Sequence, residues 1–212
     1  MPHWDANSTE LFENIQRVVN ALHRAAAARE PLSLEVARQW HRDLMMGLTI
    51  PEGEQWRGAF RGEPGCHRQV RIGPYYGTPP GEVAGELQQF QEQLHQAISY
   101  LDERIPQGES CPLDFRGAVV ELCGWVHAEW VRIHPFGNGN GRTARLWVDA
   151  IALRYGLPAF LPVRPRPGDA YEQASGYAMQ GEWEPTAELF AQYLEDFLAD
   201  QLFGEEGPPQ ED

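Results

Sequence analysis

The chain contains no lysine, and all 17 of its basic residues are arginine. A Walker phosphate loop, a kinase-type strand lysine and a Schiff-base mechanism each need an ammonium at the reacting centre, so none of them operates here. Cysteine is scarce as well. Cys66, Cys111 and Cys123 are an odd number with no C-x-x-C pair, which argues against a disulfide framework or a cysteine zinc cage and for structural thiols in a reducing compartment. No stretch of eighteen apolar residues occurs, so no membrane span or membrane partner is expected. The start, Met1-Pro-His-Trp-Asp5, lacks a basic region followed by an apolar one, so a cytoplasmic protein without a signal peptide is the expectation. Acidic residues outnumber basic ones 31 to 17, and the net charge of −14 repels a phosphate backbone, which excludes nucleic acid as a partner for the surface as a whole. Any anion must be bound locally.

What is present is 212 residues, 42% of them hydrophobic, enough for one sizeable core. Leu11, Ile15, Val18, Val19 and Leu22 recur at three- and four-residue steps and predict a helix over Ser8–Arg29. Val36, Trp40, Leu44 and Met45 predict a second, from Ser33 to near Gly47. From there to Pro80, glycine and proline punctuate a short alternating piece around Val70 to Ile72, expected as a small hairpin. Helical spacing returns over Val83–Leu101, Val119–Ile133, Arg142–Tyr155, Asp169–Met179 and Pro185–Phe203. Residues 204–212 read as a disordered acidic tail.

The chemistry concentrates in residues 134–145, His-Pro-Phe-Gly-Asn-Gly-Asn-Gly-Arg-Thr-Ala-Arg, between two of these helices. Glycines let backbone N–H groups approach a ligand, and a helix starting at the end of such a loop adds its positive dipole end, so the segment describes an anion nest. Arg142 and Arg145 are three apart, hence neighbours on the first turn, where two guanidinium forks can grip successive phosphates. His134, with an ordinary pKa near 6.5, can accept a proton near neutral pH, which points to nucleotidyl or phosphoryl transfer to a hydroxyl. Taken singly, a helix-end histidine is usually a cap, a glycine cluster a turn and an arginine pair a solvated face. Their coincidence within twelve residues carries the functional reading. His67 and His127 lack a carboxylate or cysteine set at ligand spacing and read as structural.

The string His134 to Arg145 resembles the signature of the Fic family, H-P-F-x-(D/E)-G-N-G-R-x-x-R, at every specified position except one. The resemblance extends to His41-Arg-Asp-Leu-Met45, Gly58-Ala-Phe-Arg61, the Val70–Pro80 loop and Tyr171, and so covers most of the chain. It implies an all-α fold, a Fic-type helical domain over residues 31–203 with a short β-hairpin flap, preceded by an inhibitory helix region over residues 1–30. The implied activity is protein adenylyltransferase: AMP moves from ATP to a target-protein hydroxyl and pyrophosphate is released, with Mg²⁺ or Mn²⁺ as the accompanying cation.

Carried over by position, the resemblance makes His134 the general base and Phe136 the hydrophobic anchor of the loop. Gly139, Asn140 and Gly141 would line the nest, Arg142 would bind phosphates near the transferred group, and Arg145 would hold the terminal phosphate. Tyr171 would join the nucleotide site. Val70, Arg71, Ile72 and Gly73 would form the flap strand on which an extended target segment lies. The departure is Asn138, which stands where the family has an acidic Mg²⁺ ligand. An amide oxygen can coordinate a hard cation but brings no charge. Thr9-Glu-Leu-Phe-Glu13-Asn14 resembles the family's inhibitory pattern (S/T)-x-x-x-E-(G/N), in which the glutamate, here Glu13, would pair with Arg145. An ordinary capped first turn accounts for the same residues equally well. The expectation is thus an ATP-using adenylyltransferase autoinhibited by Glu13. Three alternatives stay open: another phosphate-containing substrate, a de-AMPylase, or a catalytically weak nucleotide-binding module. A homodimer is also left open.

Overall fold

The computed structural model describes residue 4 and residues 8–203; the expected tail at 204–212 lies outside the described residues. Among the described residues the chain runs α1 (Thr9–Ala27), α2 (Leu34–Leu44), a short 3₁₀ turn (Glu54–Trp56), β1 (Arg71–Ile72), β2 (Tyr75–Tyr76), α3 (Val83–Asp102), α4 (Leu113–Ile133), α5 (Asn140–Arg154), α6 (Asp169–Ala178) and α7 (Glu184–Phe203). The all-α architecture with a hairpin is as the sequence predicts. None of these helices is long and apolar enough to cross a membrane.

Local chemistry sets the boundaries. Ser8 caps α1 through its hydroxyl, which accepts from the Leu11 N–H at 3.2 Å, and Ser33 does the same for Val36 at 3.3 Å on α2. On α1 the apolar stripe Leu11, Ile15, Val18 and Leu22 faces inward together with Asn14. The Asn14 amide donates to the carbonyls of Leu44 and Met46, at 3.1 and 2.7 Å, and so ties α1 to the end of α2. α1 is therefore part of one core with the helices that follow it.

The centre of that core is α5, buried continuously from Arg142 to Ala152 and packed against α4 and α1. Trp130 of α4 and Trp147 of α5 meet edge to face with centroids 5.6 Å apart, and Phe90 of α3 lies within 6 Å of both. At the far end of α5, Arg154 forks onto the Asp102 carboxylate at 3.1 and 2.6 Å, fixing α5 to α3. This leaves the N-terminus of α5, and the loop that enters it, as the open end of the central helix.

Candidate functional site

α4 stops at His134, whose backbone is left-handed (φ 54°, ψ 57°), because the following Pro135 disfavours helical geometry at the residue before it. A non-glycine residue in this region is strained and needs its surroundings to hold it. The chain then crosses residues 135–139 and enters α5 through Gly139, also left-handed at φ 78°. The Asn140 side chain clips the turn shut. Its Oδ1 accepts from the Phe136 N–H at 2.8 Å and its Nδ2 donates to the Phe136 carbonyl at 2.9 Å. What Asn140 can offer an anion is therefore its backbone N–H, which with those of Gly141 and Arg142 lacks an intrahelical acceptor.

Three groups hold the loop from below. Phe136 is fully buried against Phe60, Trp130 and His41, the last stacked on it at 4.0 Å. His41 Nδ1 accepts the Gly58 N–H at 2.9 Å, so the ring carries its proton on Nε2, which donates to the Asn138 carbonyl at 3.1 Å. Burial keeps this ring neutral, with its pKa pushed down to about 3. Arg61 is 1% exposed and its guanidinium is spread over carbonyls. Nε donates to His134 at 2.6 Å, Nη2 to Ile133 and Thr78 at 2.9 and 2.8 Å, and Nη1 to Arg68 at 3.2 Å. Arg61 thus supplies the donors that the C-terminus of α4 lacks and joins it to the hairpin segment.

His134 itself is partly buried beside this cluster. Its Nδ1 lies 3.1 Å from the Val131 carbonyl, an acceptor only, so Nδ1 carries the proton and Nε2 keeps its lone pair. Burial lowers its pKa to about 4; the Val131 bond opposes this and the Arg61 charge adds to it. The ring lines a cavity of about 390 Å³ together with Ile72, Asn138, Gly139, Gly141, Arg142, Arg145 and Tyr171, residues from three separate stretches of chain that the sequence reading placed in one site. Arg142 and Arg145 are each 5% exposed. Arg145 donates through Nε and Nη2 to the Val163 carbonyl at 3.1 and 2.9 Å and through Nη1 to the Tyr171 hydroxyl at 2.9 Å. The Tyr171 oxygen in turn lies 2.7 Å from His127 Nε2. His127 is therefore structural, as expected, in a buried line that ends on Arg145.

The expected divalent cation meets a poor donor set. Among the described residues no carboxylate lines the cavity, and no group of His, Cys, Asp and Glu is arranged to hold a metal ion. The Asn138 Oδ1 already accepts from Arg142 Nη2 at 3.1 Å and from the Gly139 N–H. A guanidinium on that oxygen disfavours Mg²⁺ at the same atom, so the residues present do not fit the family's metal site.

The inhibitory pair also departs from expectation. Glu13 is exposed on the outer face of α1 and forms no ion pair with Arg145, because Leu11, Asn14 and Ile15 take the inward face and Arg145 is engaged by Val163 and Tyr171. Among the described residues, Trp4 reaches the site from the N-terminal side, and it carries no periodic signal. Its ring is buried near Gly137 and its carbonyl accepts from Arg142 Nη1 at 3.1 Å. Sequence reasoning also missed Arg164 and Arg166, which line the cavity from the α5–α6 connection, and Ser175.

Facing the loop is the hairpin. Arg71 pairs with Tyr76 and Ile72 with Tyr75, and the Val70 carbonyl accepts from the Gly77 N–H at 3.2 Å. Gly73, at φ 56°, followed by Pro74 gives the tight turn. Val70 is buried, Ile72 touches the cavity, and Arg71 and Gly73 are exposed.

The Fic/DOC family profile matches residues 31–152. Proteins named protein adenylyltransferase Fic from Drosophila willistoni and Drosophila mojavensis are 28% and 26% identical over 172 and 181 residues, 81% and 85% of this chain. These alignments span only 29% and 31% of those relatives' own lengths. Among solved structures, a Fic domain containing signaling protein from Bacteroides thetaiotaomicron superposes with a TM-score of 0.67 at 17% identity, over 96% of this chain and 78% of that one. BepC from Bartonella tribocorum, solved with bound AMPPNP, gives 0.58 at 20% identity over 86% and 85%. With the signature loop seated between α4 and α5 and the family profile covering more than half of the sequence, this chain belongs to the Fic/DOC family.

Proposed function

We propose that the chain is a nucleotidyltransferase that moves AMP from ATP to a hydroxyl side chain of a target protein. One observation carries the reading: His134, with Nδ1 committed to Val131 and Nε2 unprotonated, lines the same cavity as Arg142 and Arg145. In the reaction the target hydroxyl gives its proton to His134 Nε2 while its oxygen bonds to the α-phosphorus. The bond from that phosphorus to the β-phosphate oxygen breaks, and pyrophosphate leaves. The nest at residues 139–142 and the two guanidinium groups receive the phosphates, Arg145 toward the terminal one. The free edge of β1 takes the target segment as an added strand, with Val70, Arg71, Ile72 and Gly73 in register beside it.

The name of the Drosophila relatives and the AMPPNP in the Bartonella structure support the same reading. A depressed His134 pKa suits a base that must be unprotonated at neutral pH. Incubating the chain and a cell lysate with ATP, followed by mass spectrometry, tests it. An added AMP mass on protein, lost in His134→Ala, is the expected result; no such mass with any nucleotide would leave a nucleotide-binding module instead.

A further inference from the structure

Nothing in the family signature accounts for the two outer arginines of the cavity. We propose that Arg164 and Arg166 form an outer phosphate subsite and that, together with Arg142 and Arg145, they neutralise a bound polyphosphate chain in place of a divalent cation. The inference rests on the polyphosphate-binding half of the function proposed above.

The charge distribution is the first ground. In a chain with 31 acidic and 17 basic residues, the described residues that line this cavity include four arginines and no aspartate or glutamate. Four guanidinium charges match in size the charge of a nucleoside triphosphate, and the guanidinium is the side chain best shaped for bidentate contact with phosphate. The second ground is Asn138. At the family's acidic position the amide oxygen is engaged by Arg142 Nη2, so a positive group already stands on the oxygen that would ligate the cation.

The third ground is how the outer pair is mounted. Arg164 and Arg166 alternate with prolines in Val163-Arg-Pro-Arg-Pro167, a segment whose φ angles at Pro165 and Pro167 are restricted, and both side chains are exposed at the rim. Arg145 grips the Val163 carbonyl with two donors, so the inner arginine holds the strip that carries the outer ones. Arg145 and Arg166 also share one neighbour, with guanidinium carbons 5.6 and 5.9 Å from the centre of the Tyr171 ring. The competing partner of Arg166 is Glu172 at 3.7 Å, and both side chains of that pair are more than half exposed, which makes it weak enough for a phosphate to displace.

Calorimetry on the full chain tests this, with inorganic tripolyphosphate and ATP as probes, each in EDTA and in excess Mg²⁺. Tripolyphosphate should bind in EDTA at least as tightly as in Mg²⁺. The double variant Arg164→Gln, Arg166→Gln should lose roughly tenfold to a hundredfold of that affinity in EDTA while keeping the parent's melting temperature, since both positions are exposed. Arg164→Lys, Arg166→Lys should recover part of it. Binding that requires Mg²⁺, or a double glutamine variant that binds like the parent, overturns the proposal. The two readings separate cleanly: AMP transfer that works only with Mg²⁺ sinks this inference and leaves the transferase intact. Tight tripolyphosphate binding in EDTA without AMP transfer does the reverse.

Discussion

Beneath the loop at residues 134–145, side chains from distant parts of the chain converge on its backbone: His41 on Asn138, Arg61 on Ile133 and His134, and Trp130 through the Thr143 hydroxyl at 2.8 Å. Above it, the β1–β2 hairpin has two residues per strand, and Arg71, Gly73 and Tyr76 are exposed. The N-terminal segment reaches the loop at Trp4, whose carbonyl holds Arg142 Nη1. The difference suits the two tasks proposed for these regions. A general base and a nest must be held in place before substrate arrives, whereas a strand that pairs with an incoming peptide must be open on one edge. Perturbing the floor should therefore be costly to chemistry or to folding, and perturbing the cover should change mainly binding.

The sharpest break of the floor is His134→Ala. It removes the proton acceptor, so AMP transfer should fall by roughly 10²–10⁴, while ATP affinity stays near the parent's, because a base acts in the transition state and not in the ground state. Radiolabelled AMP incorporation beside calorimetry checks both halves. Loss of binding in step with loss of transfer would make His134 a structural cap.

Acid should undo the floor next. His41 and His127 are fully buried with pKa values near 3, and His134 sits near 4, all below the ordinary 6.5. A depressed histidine contributes stability that is complete above 6.5 and is lost as pH falls toward the folded value, because the unfolded chain binds protons that the native one refuses. The loss is about 1.4 kcal/mol per histidine for each pH unit below 6.5, until the folded pKa is reached. Urea titrations at stepped pH should show stability dropping steeply from 6.5 to 4. Over the same range, while the protein remains folded, transfer should lose its base only near pH 4. Flat stability would mean that the imidazoles are solvated.

Arg61→Met tests the floor from the side. It leaves the carbonyls of Ile133, His134, Thr78 and Arg68 without this donor, and removal of one partner from a buried charged cluster costs on the order of 3 kcal/mol or more. Denaturant unfolding should show it. A loss under 1 kcal/mol would show that water replaces the guanidinium and that the loop does not depend on it.

How much of this was legible in the sequence depends on whether a signal is local. Most helices with regular apolar stripes emerge within a residue or two, α3 at 83–102 against an expected 83–101, whereas α2 ends at Leu44, three residues before the expected Gly47. α4 begins at Leu113, six residues before the expected Val119: Phe115, four positions before Val119, continues the stripe and packs partly buried against the core, while Leu113 is 75% exposed. The loop was readable because its glycines, histidine and arginines are contiguous. Arg61, His41 and Trp4 act on it from 73, 97 and 138 positions away, distances over which no spacing rule operates. Arg164 and Arg166 stand in a stretch of arginines alternating with prolines just before a helix, a pattern without helical or strand periodicity and outside the family signature. Glu13 shows the opposite case: its three-position pattern falls on a first turn that Ser8 caps and Asn14 anchors, and in this structure the carboxylate does not reach Arg145.

The smallest expected effects lie in the cover, where two N-terminal changes should separate. Deleting residues 1–7 removes the Trp4 carbonyl from Arg142 Nη1, so an incoming phosphate has one fewer contact to displace, while the bond of Nη2 to Asn138 stays in place. ATP affinity should rise roughly threefold to tenfold, the share of a charge-assisted contact that survives exchange, and stability should fall by about 1.5–3 kcal/mol as the buried indole is lost. Glu13→Gly should do neither in that measure. Glycine in an exposed helix position costs about 1 kcal/mol, and with no contact from Glu13 to Arg145 the affinity for ATP should be unchanged. The deletion and the substitution, compared in one calorimetric series, decide which N-terminal element covers the phosphate site. If Glu13→Gly raises ATP affinity and the deletion does not, α1 must move in solution far enough to bring Glu13 to Arg145, and the Arg142–Trp4 contact is incidental.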